Sequence, residues 1–192
     1  DNMYEDVNGD GKLDEKDYVY LGSDDPKISY SFNVGIEWNN FDLSAVFQGA
    51  AKRTIFRDES NDNYRIPMRA AHLNSTTQSV GNVWSPDNRD GRYPTYTNIS
   101  TINNYNYQCS SWSVENGNYL RLKSLTLGYN FPASLLSKTK AISRLRIYVS
   151  GADLWEVSKI NDGWDPEASR KVSGNGRFPF NRTCTVGLDV TF

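Results

Sequence analysis

The stretch 182–192 limits the fold more than any other part of the chain. Cys184, Val186, Leu188, Val190 and Phe192 fall on one face of a strand there, and Thr183, Thr185, Gly187, Asp189 and Thr191 on the other, because successive side chains of a strand point to opposite faces. Apolar against polar holds without error over roughly ten residues, the length that a tilted strand needs to cross a bilayer. The competing reading is an edge strand of a soluble all-β domain, whose strands are usually shorter.

Four more segments alternate in the same way. Residues 28–38 set Tyr30, Phe32, Val34, Ile36 and Trp38 against Ser29, Ser31, Asn33, Gly35 and Glu37. Asn39-Asn40 follows, a pair that tolerates the positive φ of a tight hairpin turn. Residues 41–49 set Phe41, Leu43, Ala45 and Phe47 against Asp42, Ser44 and Gln48, with Val46 breaking the polar side. Residues 119–131 carry Leu125, Leu127, Tyr129 and Phe131 opposite Ser124, Thr126, Gly128 and Asn130. Residues 144–155 carry Leu145, Ile147 and Val149 opposite Arg146, Tyr148 and Ser150.

The connections agree with a membrane barrel. With Phe192 on the periplasmic side, the links 39–40 and 132–143 become periplasmic, and 1–27, 50–118 and 156–181 become extracellular. Short inner turns and long outer loops are the habit of such barrels. Residues 133–141 have room for a turn or two of helix. Five strands cannot close, and an open sheet edge is not tolerated in hydrocarbon. The expectation is therefore an all-β chain forming the C-terminal strands of a large antiparallel transmembrane β-barrel. Residues 1–27 form an outer loop, and 28–192 form five strands with their loops, not an independent domain. Tyr30, Phe32, Val34, Leu125, Leu127, Ile147, Val149, Val186, Leu188 and Val190 should face lipid.

Composition enters at three points. No run of about 18 apolar residues exists, which excludes a transmembrane helix. A mean hydropathy of -0.66 is compatible with a barrel, since only alternate residues of each strand meet lipid. A net charge of -2 offers no basic patch for nucleic acid. The opening Asp1-Asn2-Met3 has no charged or apolar leader region, so a signal peptide was removed or the true N-terminus lies upstream.

Catalytic chemistry finds little support. His72 is the single histidine, so a nucleophile–base pair has one possible base and no supporting spacing. Asp165 and Glu167 could suggest glycoside hydrolysis, which needs two carboxylates, but they sit in outer loops where polarity is expected. The chain is read as not an enzyme. Asp6, Asn8, Asp10, Asp14 and Asp17 stand at positions 1, 3, 5, 9 and 12 of a calcium-type loop, with Gly11 at position 6. Lys12, at position 7, can offer its backbone carbonyl. A structural Ca2+ ion there would brace the loop. Cys109 and Cys184 are read as two unpaired thiols. Asn74, Asn98 and Asn181 sit in sequons, which would mean little were the protein bacterial.

Several of these segments resemble the SusC/RagA-like TonB-dependent outer-membrane transporters. The resemblance runs in order through the acidic loop from Asp6 to Asp14, then Tyr30-Ser31-Phe32-Asn33-Val34-Gly35 and Phe41-Asp42-Leu43-Ser44. It continues through Trp84-Ser85-Pro86-Asp87-Asn88, Tyr93-Pro94, Asn118-Tyr119-Leu120-Arg121-Leu122-Lys123, Asp165-Pro166-Glu167 and the terminal Gly187-Leu188-Asp189-Val190-Thr191-Phe192. A closing strand that ends on Phe also resembles the C-terminal signal of outer-membrane barrels. The resemblance implies a multi-pass barrel in a Gram-negative outer membrane that imports oligosaccharides, other glycans or peptides. It implies as partners a SusD-like surface lipoprotein, TonB, the rest of the barrel with its plug, and outer-membrane lipid. Transporter–lipoprotein pairs would form dimers. Weak candidates for substrate contact are Asn103, Tyr105, Tyr107, Gln108 and Trp164. The alternatives are a calcium-stabilised extracellular carbohydrate-binding β-sandwich module and a glycoside hydrolase fragment.

Overall fold

The computed structural model describes residues 2–56, 77–95, 97, 99–106, 108–138, 141–160, 165–167 and 181–192. The five alternating segments become five long strands: β1 (Ile28–Trp38), β2 (Phe41–Ala51), β5 (Tyr119–Asn130), β6 (Arg144–Ser158) and β7 (Thr183–Thr191). They form one sheet in the order β1-β2-β5-β6-β7, every pair antiparallel. Asn39 takes φ 53 in the β1–β2 turn, as an Asn-Asn hairpin requires. Asn130 N–H donates to the Asn40 carbonyl at 2.7 Å, and Ser143 N–H to the Thr191 carbonyl at 2.8 Å. The two short connections therefore sit at one end of the sheet. The 132–143 link contains the expected short helix, α2 (Ala133–Leu136).

Sequence reading missed two short strands. β3 (Thr54–Phe56) and β4 (Val114–Asn116) pair antiparallel within what was read as one outer loop. Three residues are too few for alternation to show. The chain divides into two compact units. One carries the N-terminal acidic segment, β3, β4 and a short helix, α1 (Ser100–Asn106). Inside it, Thr54 N–H donates to the Ser23 carbonyl at 2.7 Å, and Trp112 Nε1–H to the Arg92 carbonyl at 2.7 Å. The other unit carries the five-stranded sheet.

The pairing register gives the sheet its chemistry. It aligns Ile36, Leu43, Leu127, Val149 and Val186 in one row across all five strands. The next row is Trp38, Phe41, Tyr129, Ile147 and Leu188. These side chains are not a core. Leu127 is 48% exposed, Val149 52%, Val186 75% and Leu188 60%. A contiguous apolar face of this kind is an interaction surface, since monomeric soluble proteins rarely expose one. Aromatic rings stand at both ends of it. Phe41 packs on Tyr129 at 4.8 Å and Tyr129 on Phe131 at 5.2 Å near the turns. Tyr30 and Trp155 stand toward the far end, exposed. Ile147 to Trp155 spans roughly 26 Å of strand at about 3.3 Å per residue, close to the apolar band of an outer-membrane barrel.

The same register places Leu188 in the aromatic row by the turns, with Leu127 deeper in the band. An arginine at Leu127 should therefore cost the folded barrel about 2–4 kcal/mol, and one at Leu188 about 1 kcal/mol or less. Denaturant unfolding of the two variants in lipid bilayers checks the order. Equal costs would contradict the placement.

Candidate functional site

The opposite face of the sheet is polar and carries two ionic clusters, one at each end. Near the turns, Arg146 on β6 reaches across β5 to Asp42 on β2, with Nε 3.0 Å from Oδ1 and an Nη 2.6 Å from Oδ2. Its other Nη meets Asp189 on β7 at 3.1 Å. Asn130 donates its side-chain N–H to Asp42 at 2.9 Å. The reach is open because β5 has Gly128 beneath the pair: a Cβ there would collide with both Asp42 and Arg146. Between the clusters the face is small and neutral, with Ser44, Ser124, Thr126, Ser150 and Thr185.

At the far end stands Arg121, only 1% exposed. It bonds three carboxylates: Glu156, its cross-strand neighbour on β6, with Nε at 2.6 Å; Asp165 at 2.6 Å; and Glu167 at 2.8 Å. The guanidinium also lies over the Tyr119 ring, 5.7 Å from its centroid. Lys123 meets Glu167 at 3.0 Å, and Asp153 at 3.0 Å without hydrogen-bond alignment. Arg53 donates to the Pro166 carbonyl. Asp165 and Glu167 are thus outer-loop carboxylates ion-paired against the sheet, a pairing that the sequence does not reveal.

A bulge builds this end. Val46 pairs with Ser124 and Phe47 with Leu122, so Lys123 is an extra residue against β2. On β6, Asp153 and Leu154 both lie between the partners of Leu122 and Ser124, and Asp153 takes φ 56. Bulges re-aim side chains and break the ladder, and this one brings Lys123 beside Asp153. Its signal is present in the sequence. The leucines run 120, 122, 125, 127, a slip of one residue at Lys123.

The acidic loop folds on itself. Asp6 accepts from Gly9 N–H at 2.7 Å through Oδ1 and from Gly11 N–H at 2.7 Å through Oδ2. Asn8 accepts from Asp10 N–H at 2.8 Å, and Asp10 from Lys12 N–H at 3.0 Å. Asp17 accepts from Val7 N–H at 2.9 Å and Asp14 N–H at 2.9 Å, while Asp14 caps the Glu15–Asp17 turn. The amide of Asp14, followed by those of Asn8 and Val7, holds the Asp17 carboxyl below its ordinary range. The six calcium-type positions therefore belong to one tight turn. Among the described residues, however, no three carboxylate, histidine or cysteine side chains stand together as a metal-holding group.

The candidate substrate residues are dispersed. Asn103 on α1 is buried, and its amide donates to the Thr97 carbonyl at 2.8 Å. Tyr105 packs edge-on against Tyr4 at 4.9 Å and remains partly exposed. Gln108 is exposed. Tyr107, Trp164, His72, Asn74 and Asn98 lie outside the described residues. Cys109 and Cys184 are free and exposed.

Removing Asp42 strands a half-buried guanidinium, whereas Asp189 has a side chain 55% exposed. Asp42→Ala should destabilise the sheet by about 1–3 kcal/mol, and Asp189→Ala by less than about 1 kcal/mol. Equilibrium unfolding of the two variants checks this. A larger loss for Asp189→Ala would contradict the assignment of Asp42 as the main partner.

No protein-family model matches the chain. Individual relatives do. TonB-dependent receptor P3 of Formosa agariphila is 30% identical over 201 residues, covering 99% of this chain and 19% of that protein. TonB-dependent receptor SusC of Bacteroides thetaiotaomicron is 22% identical over 197 residues, covering 100% of this chain and 18% of that protein. Among solved structures, the RagAB peptide importer in its open-open state superimposes with a TM-score of 0.65 at 24% identity, over 89% of this chain and 18% of that one. Its closed-closed state gives 0.64 at 23% identity, over 95% and 20%. The chain spans about a fifth of the length of the relatives it matches. The amphipathic five-stranded sheet is thus part of a larger antiparallel barrel, and by sequence and fold the chain is similar to a segment of the TonB-dependent receptors P3 and SusC and of the RagAB importer.

Proposed function

We propose that this chain is the C-terminal wall of an outer-membrane importer of large nutrients. The observation that carries the reading is the two-faced sheet. One face exposes rows of aliphatic side chains between aromatic rings, as lipid requires, and the other is polar, as a water-facing lumen requires. Relatives named as TonB-dependent receptors support the use of TonB-derived energy. The structural likeness to a peptide importer supports a cargo of peptides, and oligosaccharides are the other cargo class that the family resemblance implies. A SusD-like lipoprotein would cap the outer side, and transporter–lipoprotein pairs would assemble as dimers. The plug and the remaining strands would come from elsewhere in the protein. Outer residues such as Tyr105 and Gln108 suit stacking and amide contact with such cargo. The wall holds and guides cargo and performs no covalent chemistry.

Deleting the gene should abolish growth on the cognate nutrient as sole carbon or nitrogen source, and plasmid copies should restore it. Uptake that persisted in the deletion strain, with no redundant transporter present, would refute the importer reading.

A structural calcium ion in the acidic loop is a second, independent reading. Its support is the spacing of Asp6, Asn8, Asp10, Lys12, Asp14 and Asp17 and their place in one tight, amide-bonded turn. Asp6 Oδ2, Asp10 Oδ1, Asp14 Oδ1 and Asp17 Oδ2 each accept one backbone hydrogen bond and keep lone-pair capacity for an ion. In the purified transporter, calcium should displace loop-bound terbium, and chelation should speed amide exchange over 2–25 while leaving β1–β7 unchanged. Terbium luminescence unaffected by Asp6→Ala with Asp17→Ala would rule the ion out.

A further inference from the structure

We propose that Arg53, Arg121 and Lys123 form a cation cradle that fixes the Asp165-Pro166-Glu167 turn to the polar wall, making Arg121 a positioning residue for the outer β6–β7 connection. The three cations come from different places. Arg53 follows β2, Arg121 lies on β5, and Lys123 is the residue that the bulge adds. They grip each residue of the turn: Arg121 holds Asp165, Arg53 the Pro166 carbonyl, and Arg121 with Lys123 holds Glu167. The turn is also locked internally, since Glu167 N–H donates to Asp165 at 2.9 Å. Pro166 is fully buried.

Charge and burial explain why the grip needs this particular arginine. A guanidinium carries five donors in a rigid fork, so Arg121 can serve Glu156 on the wall and two carboxylates of the turn together. A lysine could not span that set. With Arg121 almost completely buried, removal of its partners leaves an unpaired charge, which is the costly outcome for a buried pair. Glu156 belongs to the sheet itself and Asp165 and Glu167 to the turn, so holding the wall together and holding the turn down are separable roles. Among the described residues, the extra side chain of the bulge, Lys123, is shared by the turn's Glu167 and by Asp153. The consequence for cargo rests on the importer reading above; the positional claim does not.

The test uses the full transporter in its own outer membrane, with the heat-modifiable folded fraction as the folding control. Asp165→Asn with Glu167→Gln leaves the Arg121–Glu156 wall pair intact. It should speed amide exchange in the peptide containing 165–167 by about tenfold or more, with little change in β5 and β6. Arg121→Gln, which keeps no charge against Glu156, should do the same. If Arg121→Gln fails to fold, the Asn/Gln variant alone carries the test. Uptake in the Asn/Gln variant should show a raised KM with little change in maximal rate. Unchanged exchange at 165–167 in the folded Asn/Gln variant would overturn the cradle. Faster exchange with normal uptake would keep the cradle and remove its role in handling cargo.

Discussion

Everything in this chain depends on the pairing register of the five-stranded sheet. Side chains along a strand alternate with a period of two, so a slip of one residue in any pairing would turn that strand's apolar set to the polar side. The observed register keeps Ile36, Leu43, Leu127, Val149 and Val186 in one row. A barrel wall must satisfy its backbone hydrogen bonds within the sheet, because hydrocarbon offers no partners. The antiparallel ladders supply them here, and each outer edge, at β1 and β7, presents backbone groups that a neighbouring strand of the same barrel would complete.

The polar face is organised by charge at its two ends and left neutral between them. Arg146 ties β2, β6 and β7 together through Asp42 and Asp189, across a strand that has glycine at the crossing point. Arg121 does related work at the far end, but part of its anion set comes from the connection after β6. One cluster braces strands against one another. The other joins strands to a connection. This difference follows from the bulge, which supplies an extra cation where the ladder is broken.

Much of the sheet was legible in the sequence, and the reasons are physical. All five strands, the Asn39-Asn40 turn and the helix after β5 announce themselves through local pattern, and the register then follows from keeping like faces together. The clusters were harder to see. Asp165 reads as a loop carboxylate because its partner, Arg121, is distant in sequence, and no local rule couples them. The bulge left a trace in the leucine spacing, but a one-residue slip is easily read as ordinary variation. β3 and β4 are too short for alternation to show, and Asn103 looks like a surface amide until the fold buries it against Thr97.

The central claim is that one face of the sheet meets lipid and the other meets water. Nitroxide labels placed singly along β5 and β6 of the bilayer-embedded transporter test it most directly. Accessibility to oxygen, which concentrates in hydrocarbon, should be high at Leu125, Leu127, Ile147 and Val149. Accessibility to a water-soluble nickel chelate should be low at those positions, and oxygen should be low at Thr126, Tyr148 and Ser150. The alternation should persist along both strands and shift phase at the bulge beside Lys123. Apolar positions shielded from both reagents, as inside a closed two-sheet core, would contradict the account.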